Sequence, residues 1–184
     1  MRGVGIALLA AAAIGSATAP RTAFAASAAQ IDRDVSQALR NLYAKNATAK
    51  SLGQKAQAVL VFPSIVKGGF MVGGQYGEGA LRKGGRTAGY YSSVAASYGL
   101  QAGIQKFGYA LFFMTPSALD YFQKSAGWEV GTGPSIVVVD EGVAKSLSTT
   151  TAKSDIYAFF FSQKGLMAGL GLQGTKITRI QPSK

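Results

Sequence analysis

Apolar positions between residues 26 and 57 recur at helical spacing. Ile31, Val35, Ala38 and Leu42 are separated by four, three and four residues, with Leu39 beside them, so they line one face of a helix. Arg33 and Arg40, seven apart, fall on the opposite face. Asn46-Ala47-Thr48 breaks the pattern, and a shorter helix is expected to run on through Leu52 to Ala56. From Ala58 onward the period changes. Short apolar runs at 59–62, 70–72, 81–82, 88–91, 94–104, 109–114, 136–139, 158–161, 166–172 and 176–180 alternate with glycine and are rich in β-branched and aromatic residues, which predicts strands. Gly84-Gly85 and Lys164-Gly165 mark tight turns. One helix interrupts the strands: Thr115 is suited to cap it, Pro116 to its first turn, Ala118, Leu119 and Phe122 to its inner face, and Gly127 to its end. Twenty-four glycines, mostly in or beside strands, predict bulges and sharp curvature. The expected fold class is α+β: a curved, barrel-like, mainly antiparallel β-sheet with an N-terminal helix and one internal helix.

The first 25 residues read as a signal peptide. Arg2 gives a positive start, 3–14 is an apolar core too short to span a bilayer, and Ala23-Phe24-Ala25 is a small-x-small cleavage site. The expected organisation is residues 1–25 removed on export and a single domain over 26–184, located in the periplasm or peripherally at the outer membrane. The chain carries 19 basic and 8 acidic residues, a net charge of +11; Arg2 and Arg21 are the only charges before Ala26, so +9 remains after cleavage. That charge favours polyanionic partners, and export argues against nucleic acid among them. Cysteine is absent, so neither disulfides nor an acylated cysteine is available.

Histidine is absent as well, which removes histidine-based nucleophilic catalysis and the usual zinc sites. Asp140-Glu141 is the one adjacent carboxylate pair; adjacent strand residues point to opposite faces, so it makes a poor acid–base couple. The run from Gly169 to Gly174 matches a dinucleotide fingerprint, but the residues after it read as strand where that motif needs a helix. No enzyme activity, cofactor or metal is expected. The positive chemistry is cationic. Arg82, Lys83 and Arg86 surround the Gly84-Gly85 turn, where three cations and exposed N–H groups suit a phosphate. Lys67 precedes Gly68-Gly69 in a similar setting, and Arg33, Arg40 and Lys45 give the first helix a basic side. A basic amphipathic helix suits an anionic bilayer interface, with Ile31, Val35 and Leu42 supplying apolar contact if the helix swings out.

The runs AVLVFPSIVKGGFMVGGQYGEG (58–79), GYYSSVAASYGLQAGIQ (89–105), ALFFMTPSALDYFQKSAGWEVGTGPS (110–135) and KGLMAGLGLQGTKITRI (164–180) together resemble the SYLF domain family, most closely its bacterial, exported branch. The resemblance implies a non-enzymatic lipid-binding module. Eukaryotic relatives bind phosphoinositides and in some cases actin filaments, with lipid contact attributed largely to an N-terminal amphipathic helix and nearby basic residues. Carried over, this points to the helix holding Arg33, Arg40 and Lys45, and to Lys67. Tyr90-Tyr91 stand where those relatives tend to carry tryptophan, and no adaptor domain accompanies the module. The expected function is peripheral binding to anionic phospholipid headgroups. The alternative is a structural or interaction protein of the envelope that binds a protein or glycan through its basic face.

Overall fold

A computed structural model describes residues 26–99, 104–139, 153–164, 172 and 174–184. The leading segment 1–25, Asp140-Glu141 and most of the 165–173 glycine run therefore lie outside the described residues.

Ser27 starts the first helix, α1 (Ala28–Lys45), by accepting the Gln30 N–H at 3.3 Å. Asn46 is extended and both ends α1 and caps α2 (Ala47–Lys55), accepting the Ala49 N–H at 2.8 Å. This is the break expected there. The strands are β1 (Ala58–Lys83), β2 (Arg86–Gly99), β3 (Ile104–Phe113), β4 (Trp128–Glu129), β5 (Ile136–Val138), β6 (Ile156–Lys164) and β7 (Lys176–Ile180), with α3 (Pro116–Lys124) between β3 and β4. They form one sheet in the order β4-β7-β2-β1-β3-β6-β5, antiparallel throughout except for β5 against β6. The curved α+β architecture expected from the strand pattern is the one observed.

The central strand differs most from expectation. Three separate apolar runs are fused into the 26 residues of β1. Its first part, 58–68, pairs with β3, and its second part, 71–83, pairs with β2. Between the two parts the chain doubles back: Gly79 lies against the Val61 carbonyl and Phe62, Gly77 against Ser64 and Ile65, and Gly73 against Gly68 and Gly69. These glycines do not end strands. They let one backbone approach another more closely than any side chain would allow. The apolar run 94–104 is likewise divided between β2 and β3.

Alternation along the strands gives the sheet two apolar faces. On one, Leu60, Phe62, Ile65, Leu81, Phe107, Tyr109 and Leu111 pack with Ala118, Leu119 and Phe122 of α3 and with Trp128. Thr115 caps α3 and Pro116 opens it, as its sequence predicts. The helix stops at a Ser125 cap, before Gly127, because Ser125 is already extended, its N–H bonded to the Phe122 carbonyl. On the other face, Ile31, Val35 and Leu42 of α1 and Ala49 and Leu52 of α2 pack over Val59, Val61, Ala80, Ala110, Phe112 and Phe159. The start and end of this region meet: the Ala28 N–H donates to the Ser183 carbonyl at 2.9 Å.

Gly79→Ala puts a methyl group into the Val61 backbone carbonyl, where no side-chain rotation relieves it; urea denaturation should show a loss of about 2–3 kcal/mol or more. Asp155 accepts the Ser135 N–H (3.1 Å), the Ser135 hydroxyl (2.9 Å) and the Thr115 hydroxyl (3.0 Å), and these bonds, Ser135's foremost, hold its carboxyl below the usual carboxylate value. Its contribution is complete above the unfolded-state value and disappears as pH falls through the lowered folded value. Asp155→Asn should therefore lower the melting temperature at neutral pH and reduce the acid-side loss of stability measured below about pH 4.

Candidate anion-binding surface

The Gly84-Gly85 turn joins β1 to β2 as a two-residue hairpin. Both glycines have positive φ, +55° and +77°, the conformation that suits the right-handed twist of the flanking strands. Lys83 and Arg86 are paired across the turn and exposed at its tip. Neither forms an ion pair among the described residues.

Arg82 corrects the expectation of three equivalent cations. It lies on the α1 face of β1, and its guanidinium donates to the Asp32 carbonyl at 2.9 Å and the Ser36 hydroxyl at 2.8 Å, with the Asp32 carboxylate 3.6 Å away. Its side chain keeps only 18% of its exposure. Asp32 also accepts the Thr87 hydroxyl (2.6 Å) and the Tyr90 hydroxyl (2.9 Å). Burial first, then the bond to Asp32, pushes the Tyr90 hydroxyl up. Arg82 is thus the centre of a latch that fastens α1 to the β1–β2 hairpin, and is not a free phosphate ligand.

For Ile31, Val35 and Leu42 the expected apolar contact requires the helix to leave its seat. They are buried under α1 in the core, 3%, 0% and 6% exposed, and no membrane contact reaches them while the helix stays seated. The amphipathic stripe is satisfied by the sheet. Arg33, Arg40 and Lys45 are exposed on the outer side of α1. Arg33 donates to Gln30 (2.6 Å) and Arg40 to Gln37 (2.7 Å), neutral partners that leave the charges uncompensated. The latch seats α1 beside the hairpin, so the helix cations lie near the Lys83–Arg86 tip, although alternation from Arg82 and Thr87 turns Lys83 and Arg86 away from the α1 face. Lys67 stands apart, half-buried opposite Gln105 in the first part of β1.

Sequence reasoning missed the latch and a groove of about 410 Å³ beside it. Thr87, Gly89, Tyr90, Arg179 and Gln181 contribute to the lining. Arg179 is exposed, opposite Tyr91 in the β2–β7 pairing. The signal for the latch was faint: Asp32 is one of very few acids in a basic chain and sits next to the buried Ile31.

Residues 94–182 match the family model described as Ysc84: Las17-binding protein actin regulator. The chain belongs to the SYLF family. The family is one of binding domains, associated with lipid binding and actin regulation. No curated protein matches the chain. The matched segment of this SYLF protein runs from the end of β2 through β7, so α1 and the basic hairpin tip lie before it. The residues after Gly174 form the strand β7, where a dinucleotide-binding motif needs a helix. Among the described residues, no helix is long and apolar enough to cross a membrane, and no three carboxylates gather as a metal site would require.

The latch has a measurable weight. Asp32→Ala removes the carboxylate beside the Arg82 guanidinium and leaves the Thr87 and Tyr90 hydroxyls without their acceptor, and should cost roughly 2 kcal/mol in chemical denaturation, whereas Arg33→Gln should stay within about 0.5 kcal/mol.

Proposed function

We propose that this SYLF protein is a non-enzymatic, peripheral binder of anionic phospholipid headgroups, exported to the periplasm or the outer membrane of its cell. The observation that carries the reading is a set of exposed cations without acidic partners among the described residues: Lys83 and Arg86 at the hairpin tip, with Arg33, Arg40 and Lys45 on the helix that the latch seats beside that hairpin. Such a cluster lowers the free energy of a phosphate-bearing surface by about 1 kcal/mol per cation near the surface. The family's association with lipid supports it, as does the net charge. Export rests on the composition of residues 1–25. Lys67 joins this surface only where the membrane also reaches the far part of β1.

The protein needs no rearrangement to bind in this way. Its basic side is already exposed, and Ile31, Val35 and Leu42 remain in the core. Co-sedimentation with phosphatidylserine-containing vesicles tests the reading. Lys83→Gln with Arg86→Gln should weaken binding by about 2 kcal/mol at low salt, and the difference should shrink at high salt as screening weakens the parent's own contacts. Unchanged binding by the folded double variant removes the hairpin from the site. Absence of binding by the parent at low salt refutes the function.

A further inference from the structure

Beyond α1, the helix-bearing face of the sheet carries large apolar side chains that are exposed. Val66 of β1 stands opposite Lys106 of β3, and Tyr76 of β1 opposite Val94 of β2, which pairs on its other side with Lys176 of β7. The approach of Gly77 to Ile65 and of Gly79 to Phe62 sets Val66 beside Tyr76 where β1 doubles back. One row thus crosses four strands: Lys106, Val66, Tyr76, Val94, Lys176. Alternation from Ala80 and Ala110, which lie under α1, places the row on the helix-bearing face. Its three apolar side chains are 41%, 51% and 46% exposed, and Ile104, two residues before Lys106, is 73% exposed. Lys106 and Lys176 are exposed and have no ion-pair partner among the described residues, although Glu129 sits opposite Lys176 in the β4–β7 pairing. Glu78, the nearest acid along β1, is occupied by the Tyr76 hydroxyl at 2.7 Å and the Ala26 N–H at 3.0 Å.

We propose that this row is a second lipid-contact surface, which seats shallowly in the headgroup layer of an anionic bilayer. It rests on the proposed lipid-binding function and adds to it a surface of a different kind. A row of exposed aliphatic and tyrosine side chains on a sheet is unusual for water and suited to an interface. Lysines at both ends have stems long enough to follow the apolar row while their ammonium groups reach phosphate. The charge complement they demand is an anionic surface on both flanks. The row crosses the middle of the β1–β2 pairing, away from the Gly84-Gly85 tip, and shares no residue with it, so the two surfaces are separable by mutation.

Tyr76→Trp places a reporter in the row, while the native Trp128 is buried and serves as a constant background. Phosphatidylserine-containing vesicles should shift the introduced tryptophan's emission to the blue, and pure phosphatidylcholine should not. Val66→Thr with Val94→Thr should weaken binding at low and high salt alike. Lys106→Gln with Lys176→Gln should weaken it at low salt by roughly 10- to 30-fold, and these exposed substitutions should leave the melting temperature unchanged. If the parent binds but the emission stays fixed and the threonine variant binds as well as the parent, the row is idle and the lipid function stands without it. If the parent does not bind, both readings fall. An emission already blue without vesicles, which moves red in a chain starting at Ala26, makes the leading segment the occupant of the row and overturns the proposal.

Discussion

The architecture depends on a backbone-to-backbone approach inside β1. Gly73, Gly77 and Gly79 bring the second half of the strand against the first, so closely that a Cβ at any of them meets main-chain atoms. Everything else is hung on that fold-back. The first half offers an edge to β3 and, through it, to β6 and β5; the second half offers one to β2 and, through it, to β7 and β4. Without the approach the sheet would split into two small ones, neither wide enough to hold a helix layer on each face.

The helix layers are fixed by different means. The α3 layer is held by aromatic packing, with Phe122 between Tyr91 at 4.8 Å, Phe113 at 5.1 Å and Trp128 at 5.7 Å. The α1 layer combines an apolar seat with the Asp32–Arg82 latch, and the latch has a cost, since the Arg82 Nε is buried without a hydrogen-bond partner. The benefit is orientation. A helix held by Ile31, Val35 and Leu42 alone has freedom to roll; tied to Arg82, Thr87 and Tyr90, it presents Arg33 and Arg40 outward in one pose. The helix part of the basic surface of this SYLF protein is therefore held in one orientation.

The local grammar of the chain was legible where side chains decide it. The helical period over 31–42, the break at Asn46, the cap at Thr115 and the Gly84-Gly85 turn are each determined by nearest neighbours, and each is observed. The tertiary level was not legible. Glycine between apolar runs reads equally as an interruption or as a point of close approach, and only the partner strand decides, so the fused β1 was invisible. Ile31, Val35 and Leu42 form the same stripe whether they meet a bilayer or a sheet. Arg82 has the same sequence context as Lys83 and Arg86, but strand alternation sends it toward Asp32, fifty residues earlier, while the turn leaves the other two at the tip.

The bond between Ala28 and Ser183 joins the start of α1 to the stretch beyond β7. The fold is in this sense a closed loop with its seam at one point. A new peptide link across that seam, with the chain reopened at the exposed Gly84-Gly85 turn, would preserve every strand pairing and every helix seat. Circular permutation at that turn would separate the two halves of the hairpin without moving either from the sheet. By the same geometry, a tether placed before Ala26 and one placed after Lys184 would pull on the same corner of the molecule, leaving the Lys83–Arg86 tip free to turn toward a surface.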